Sequence, residues 1–399
     1  MPATLDTYDR IPELLRDLSP TGVTVLADPA VASHAVTRKV HAEVERAGFT
    51  PTLALTPAAG GMPAVAAFAS RLSPGELVVG VGGGSTLDFA KLSAAVGRRP
   101  ELLRYLTSRQ RSGLVALPLT WGEHAEVLAV PTTLGTGSEA GPVACFPHED
   151  GKRIAMGECL RPRAALWVPE ATETLPGHLV LDGVLEAIFR TVIPYSSDTL
   201  DLPEQDAAVE ELAGRLLTDG DELARYIGAG SPAPAPGRLR VARLSAESQR
   251  GAINIGRSPY AVKCWALANE LSTTLGLAKM RAVCALWPVV WRRALQGDTR
   301  FGSAERIHRL WEQLRRQAPW LAPTPDEGLE QLMLRWGIDH TVHLPPQLRH
   351  RIALRSVRAW GAGLPTLAGL SADDVVALLA EATEPTPTRA GSPEPLSAA

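Results

Sequence analysis

"VVGVGGGSTLDFAKLSAA", Val78–Ala95, runs from an apolar stretch through three successive glycines into a helix-like pattern. A bare turn between a strand and a helix brings backbone N–H groups close to a ligand, and the unpaired amides of the helix start favour an anion such as a phosphate. The spacing is neither GxGxxG nor a Walker motif. The stretch therefore also reads as a tight strand-to-helix connection, with Ser85 as N-cap and Asp88 completing a capping box. On this stretch alone both readings stand.

Its surroundings extend the pattern. "VTVLAD" (23–28) reads as a strand and "AVTRKVHAEVERAG" (35–48) as a helix ending on Gly48. "PTLALT" (51–56) is a second strand and "MPAVAAFASRL" (62–72) a second helix. "ELVVGV" leads into the glycines, "STLDFAKLSAAVG" follows them, and "VLAVP" (127–131) is a further strand. Strands alternating with helices predict a parallel sheet covered on both faces.

After about Leu175 long amphipathic segments take over: "HLVLDGVLEAIFRTV", "AAVEELAGRLLTDGDELARYIG", "KCWALANELSTTLG", "AERIHRLWEQLRRQ" and "SADDVVALLAEA". In the last, Ser371 and Asp374 form a capping-box pair. "GAGSPAPAPGR" (228–238) predicts an exposed loop. The expected organisation is an α/β domain over 1–174, a helical domain over 175–383 and a disordered Pro- and Ser-rich tail over 384–399.

Composition narrows the function classes. Over 399 residues, 45% hydrophobic and 21% charged content fit a globular protein with a sizeable core. A net charge of −3 provides no field for nucleic acid. The four cysteines (Cys145, Cys159, Cys264, Cys284) form no CxxC pair, and no apolar run is long enough to span a membrane. The start "MPATLDTYDRIPELL" has no apolar signal-peptide core, so a cytoplasmic location is the expectation. Trp287, Trp291, Trp311 and Trp336 lie in apolar helical patterns and are expected in the core. "RRALQGDTR" and "RLWEQLRRQ" read as solvated helix faces, and His340 and His343 as surface residues.

A second loop, "VPTTLGTGSEAGP" (130–142), follows the next strand with hydroxyls, glycines and a closing acid. In sheet order it faces the first turn across a crevice at the strand C-termini. "GGGSTLDFAK" together with "PTTLGTGSEA" resembles the iron-containing (group III) alcohol dehydrogenases, a superfamily that includes glycerol dehydrogenase and dehydroquinate synthase. The likeness continues through "LRPRAALWVPEATETLPGHL" and, more loosely, to about Glu381.

The resemblance implies a Rossmann-like N-terminal domain plus an all-α C-terminal domain, with NAD(P) between them. By position it assigns Gly82, Gly83, Gly84 and Ser85 to the pyrophosphate and puts Asp88 near the nicotinamide end. Thr132, Thr133, Thr136 and Ser138 would line the nucleotide, with Lys152 a further contact. Asp28 matches a position near the adenosine ribose, where a carboxylate favours NAD over NADP; it also reads as an ordinary Asp-Pro turn. Members of the superfamily commonly pair, so a homodimer is expected.

The superfamily holds Fe²⁺ or Zn²⁺ in the helical domain on one acid and two or three histidines. In "LPGHLVLDGVLEAIFR" Glu186 takes the acidic position, but Arg190 stands where a histidine belongs. In "CWALANELSTTLGLAKMRAVCALWP" Trp265 and Lys279 replace two further histidines, and Asn269 replaces a nearby proton-relay histidine. Arginine and tryptophan offer no lone pair, so no catalytic metal is expected. Arg190, Lys279 and Glu186 would converge on the old metal position. Lys279 or Arg190 could stabilise an alkoxide, Lys279 could accept a proton, or the two cations could grip a substrate carboxylate. They could also form an ion cluster filling a disused hole.

The reading that follows is a metal-independent, NAD-dependent oxidoreductase acting on an alcohol or carbonyl, with a carboxylate-bearing small molecule or a peptide in a tailoring pathway as the expected substrate class. A carbocycle-forming lyase like dehydroquinate synthase is one alternative, faintly supported by Glu186 and "RGAINIG" (250–256). A nucleotide-binding pseudoenzyme that serves a partner protein is the other.

Overall fold

The computed structural model describes residues 2–58, 61–108, 112–149, 151–249, 251–361 and 363–383. The expected disordered tail from 384 and the Arg250 end of "RGAINIG" lie outside these residues.

In chain order the strands are β1 (Ala3–Leu5), β2 (Val23–Ala27), β3 (Thr52–Leu55), β4 (Leu77–Gly82), β5 (Leu114–Ala116), β6 (Ala125–Pro131), β7 (Val143–His148), β8 (Gly151–Met156) and β9 (Pro162–Leu166). β2, β4 and β6 are the apolar runs of the sequence. They lie side by side because each needs cover on both faces. The main sheet has the order β1-β9-β6-β4-β2-β3, and every pair in it is parallel.

Side chains alternate across that sheet. Val78, Val127 and Ala129 pack with Val65, Phe68, Leu87 and Ala90, which come from α3 (Met62–Ala69) and α4 (Gly84–Arg98). Val79, Val81, Leu128 and Val130 face the other way, onto Ile11 and Leu15 of α1 (Ile11–Leu18) and Val36, Val40 and Val44 of α2 (Ala35–Arg46). A further short helix, α5 (Glu101–Thr107), follows α4. The expected doubly covered parallel sheet is present.

The hairpin β7–β8 was not legible in the sequence. It pairs antiparallel, and β5 adds alongside β8 to make a small second sheet. Ala144 and Phe146 are buried in the α/β core, and Cys145 between them takes the opposite face.

Among the described residues from Gly177 onward every regular element is helical: α6 (Gly177–Ser197), α7 (Pro203–Gly228), α8 (Ala235–Glu247), α9 (Lys263–Leu275), α10 (Lys279–Leu295), α11 (Ala304–Gln317), α12 (Pro325–Arg335), α13 (Pro346–Ser356) and α14 (Ala372–Thr383). Trp287 stacks edge-on to Trp291, and Trp291 to Trp311, in the middle of this half. Each such pair adds roughly 0.5–1.5 kcal/mol beyond the area it buries. Trp336 is buried as well. The Ser371–Asp374 box caps α14 as expected: Asp374 N–H donates to Ser371 Oγ (3.1 Å) and Ser371 N–H to Asp374 Oδ2 (2.8 Å).

Two expectations need correction. The "GAGSPAPAPGR" loop is shorter than predicted, because α7 runs to Gly228 and α8 starts at Ala235. Proline is tolerated in the first turn of a helix, and Arg238 turns inward to bond Thr172 Oγ1 (3.1 Å). The basic stretches are not merely solvated. Arg292 bonds Asp326 and Glu330 on α12 and Glu381 on α14, while Arg309 bonds Asp206 and Glu210 on α7. No described helix is long and apolar enough to cross a membrane.

Candidate nucleotide cleft and cation cluster

β3 lies outside β2, and β4 returns on the other flank of β2. That reversal opens a crevice at the carboxyl ends of β2 and β4, where open α/β sheets bind ligands. Asp28 follows β2, the glycine turn follows β4, and the 132–142 loop follows β6, the neighbour of β4. The three segments singled out in the sequence therefore share one edge of the sheet.

The two loops touch. Gly82 pairs with Pro131, and Thr132 N–H donates to Gly82 O (3.0 Å). A Cβ placed on Gly82 would stand 2.6 Å from Thr86 Cβ. On Gly83 it would lie 3.0 Å from Thr133 Cγ2, and on Gly84 2.9 Å from Thr136 Cγ2. At Gly82 and Gly84 an added Cβ would force the facing threonine to move, and at Gly83 it would be tight.

The capping-box reading of the turn is overturned. α4 starts at Gly84 with Gly83 as N-cap, and no side chain caps it; Ser85 is exposed inside the first turn. The first helical bond runs from Leu87 N–H to Gly83 O (3.1 Å), so the amides of Gly84, Ser85 and Thr86 lie ahead of the helical ladder. Thr133 Oγ1 beside them is buried without a hydrogen-bond partner. Uncapped amides and an orphaned hydroxyl around a bare turn fit the diphosphate of a dinucleotide. Gly82, Gly83, Gly84, Ser85, Thr132, Thr133 and Thr136 are the residues that would hold it.

Asp28 combines both of its readings. Its Oδ1 accepts from Ala30 N–H (2.9 Å), closing the Asp-Pro turn, and its Oδ2 accepts from Thr86 Oγ1 (3.4 Å), tying it to the glycine helix.

Asp88 and Ser138 are engaged with each other. Ser138 Oγ donates to Asp88 Oδ1 (2.6 Å), and Cys145 N–H donates to Asp88 Oδ2 (2.8 Å). Lys91, 0% exposed, lies 3.1 Å from Asp88 Oδ1 and donates to Ser138 O (3.0 Å) and Val143 O. Lys91 and Asp88 thus lock α4 to the second loop and to β7. Sequence reasoning missed Lys91, although its i, i+3 spacing from Asp88 was a readable signal.

The second loop also reaches the helical half. A Cβ on Gly135 would stand 2.1 Å from Gly183 O, so the loop lies directly on α6. Glu186 and Arg190 follow Gly183 by three and seven residues and share its face. Arg190 Cζ lies 4.9 Å from the centroid of the Trp265 ring on α9, and Lys279 Nζ, on the first residue of α10, lies 3.9 Å from the same centroid. Arg190 Nη1 is 3.8 Å from Glu186 Oε1. The predicted convergence of Arg190, Lys279 and Glu186 is present, with Trp265 between the cations as their shared partner.

Burial holds the Lys279 ammonium below the ordinary lysine value. The Cys145 sulfur and Glu186 oppose that shift, and the Arg190 and Lys152 charges add to it. Burial likewise pushes the Cys145 thiol up against the pull of Lys279, and pushes Glu139 up against Arg190 and Lys91. Lys152 is exposed on β8, and its carbonyl accepts from the buried Asn269 Nδ2 (3.3 Å). Cys145, Glu139 and Gln249, whose side chain crowds Gly137 and Gly141, are members of this region that the sequence did not single out.

Residues 5–169 match the iron-containing alcohol dehydrogenase family. NADPH-dependent aldehyde reductase YqhD of Escherichia coli is 28% identical over 242 residues, which are 59% of this chain and 59% of that protein. Over residues 5–169 the chain is similar to the iron-containing alcohol dehydrogenases, and it spans about three fifths of the E. coli reductase. Among solved structures, NADH-dependent butanol dehydrogenase A from Thermotoga maritima shares the fold of this chain with a TM-score of 0.74, at 17% identity over 96% of this chain and 97% of the other. Sulfoacetaldehyde reductase from Bifidobacterium kashiwanohense, solved in complex with NAD+, gives a TM-score of 0.72 at 14% identity over 94% and 96% of the two chains.

The superfamily implies a metal ion at the cation cluster, and the residues here do not suit one. Glu186 is the one carboxylate at that position. Arg190 and Trp265 have no lone pair to give, and Lys279 has one only after losing its proton. Among the described residues no three His, Cys, Asp or Glu side chains are grouped to hold an ion.

Proposed function

We propose that this chain is a nicotinamide-dependent oxidoreductase of an alcohol or its carbonyl partner, in which Arg190 and Lys279 do the work that a metal does in its relatives. The observation that carries this reading is the pair of cations at 4.9 and 3.9 Å from one indole centroid, one of them on α6, which lies on the loop at Gly135. A bound nicotinamide supplies the hydride acceptor or donor. In the oxidative direction Lys279 takes the hydroxyl proton, and Arg190 stabilises the negative charge growing on that oxygen. Glu186 keeps the guanidinium oriented from 3.8 Å.

NAD is favoured over NADP, because the Asp28 carboxylate at the end of β2 accepts from a ribose hydroxyl and repels a 2′-phosphate. The E. coli reductase is NADPH-dependent by name, so this preference is a property of the present residue rather than of the family.

The test is formation of NADH at 340 nm from a panel of alcohols, with chelator present. Turnover that survives chelation and is abolished by Lys279→Ala and Arg190→Ala, with NAD affinity nearly unchanged, supports the reading. Stoichiometric iron or zinc in active protein, or full activity in both variants, refutes it.

A further inference from the structure

Arg190 is mostly buried, its side chain 12% exposed, yet its five N–H donors make no hydrogen bond to any described residue. Of the acidic groups around it, Glu186 stands at 3.8 Å, beyond hydrogen-bond reach, and burial pushes the Glu139 carboxyl up, toward its neutral form. Lys279 Nζ makes neither a hydrogen bond nor an ion pair with a described residue; what it has is the face of Trp265 at 3.9 Å. Buried guanidinium groups are ordinarily saturated with acceptors, as Arg306 is here by Tyr195 O, Leu200 O and Asp206.

An indole face offsets part of the desolvation of a cation without neutralising its charge. Arg190 and Lys279 meet on Trp265 with Glu186 beside Arg190, so an excess of positive charge and several unused donors remain there. Trp265, Lys279, Glu186, Arg190 and Cys145 are all only partly buried, which leaves the group open to a ligand from solvent.

We propose that Arg190 and Lys279 receive a carboxylate of the substrate, so that the molecule turned over is a hydroxy acid or oxo acid rather than a neutral alcohol. This rests on the oxidoreductase reading above for the reaction, but not for the binding. A planar carboxylate takes two parallel N–H bonds from a guanidinium, a geometry that the compact ammonium of lysine does not reproduce. Two of the five Arg190 donors therefore grip the carboxylate and others remain for the reacting oxygen, whose proton Lys279 takes. Because both cations share one ring, the acid group and the reacting carbon sit within a few bonds of each other.

The experiment measures binding without any nucleotide, by calorimetry with malonate as probe and malonamide as its uncharged counterpart. Wild-type protein is expected to bind malonate at least tenfold tighter than malonamide, with affinity falling as salt rises. Arg190→Gln and Lys279→Met should each weaken malonate binding about tenfold or more, and Arg190→Lys should recover only part of the loss, with circular dichroism reporting the fold of each variant. Equal binding of malonate and malonamide, or unchanged malonate binding in a folded Lys279→Met protein, overturns the proposal. Malonate binding that depends on both cations, in a protein that reduces no NAD with any hydroxy acid, upholds the site and fails the oxidoreductase reading. NAD reduction with neutral alcohols alone does the reverse.

Discussion

Gly135 and Gly183 meet backbone to backbone: a Cβ on Gly135 would stand 2.1 Å from Gly183 O, and one on Gly183 would stand 2.8 Å from Leu134 O. This is where the 132–142 loop after β6 touches the helix that carries Glu186 and Arg190. Gly135 also sits at a φ of +86°, which side-chain-bearing residues rarely adopt. Gly135→Ala is expected to destabilise the protein by roughly 2–4 kcal/mol through clash and strain together. Urea unfolding measures it. A midpoint equal to wild type would show that the two segments separate without cost.

The glycine turn makes a subtler prediction. Gly84 is the first residue of α4, where alanine suits the helix, but its Cβ would reach 2.9 Å from Thr136 Cγ2. Gly84→Ala should leave the melting temperature close to wild type and weaken NADH binding about tenfold, roughly 1.4 kcal/mol. Adding Thr136→Ala should restore part of the affinity, read by NADH fluorescence titration.

Lys91 is wholly buried between Asp88, Ser138 O and Val143 O. Lys91→Met strands the Asp88 charge and two carbonyls and should cost about 3–5 kcal/mol. The double variant with Asp88→Asn should cost less than the sum of the single ones, because the charge left behind has gone. Strict additivity in chemical denaturation would mean that the pair is not coupled.

Acid should loosen the helical half through Asp206. Burial pushes this carboxyl up, but hydrogen bonds from Arg257 and Arg309 and the charge of Arg306 outweigh it and hold the group below its ordinary 3.8. A carboxyl depressed in the folded state adds stability above the unfolded value and loses it as pH falls through the folded one. Stability should therefore drop below about pH 4, and Asp206→Asn, already weakened at neutral pH, should show a flatter profile there. Thermal melts between pH 7 and pH 3 test this.

Lys279 predicts the pH dependence of turnover. A proton acceptor works when neutral, so kcat/KM for oxidation should rise with pH to a midpoint below the ordinary lysine value of 10.5. The reductive direction should fall over the same range. Replacing Lys279 with Arg, which stays charged, should remove the rising limb; a limb that persists assigns the proton to another group.

The parallel sheet was legible because β2, β4 and β6 are apolar on both faces and each is followed by a helix of the right period. The glycine turn and the threonine loop were legible as a pair because both follow such strands. Cys145, Glu139 and Gln249 were not, since each acts through a contact made far along the chain; Lys91 left only its i, i+3 spacing from Asp88. Ser85 misled for a related reason. As an N-cap it satisfies every local rule, yet the helix already starts at Gly84, one residue ahead of it, and its own amide is among the uncapped ones.

Local periodicity and turn chemistry settle which segments are strands, helices and bare loops, because those preferences act over a few residues. They also settle that Arg190, Trp265 and Lys279 cannot form a set of metal ligands, since that follows from the atoms each side chain carries. Whether those side chains meet is a matter of how α6, α9 and α10 pack. Arg190 and Lys279 are 89 positions apart and share no local signal, and their contact through one indole ring exists only once the helices are buried against each other and against the loop at Gly135.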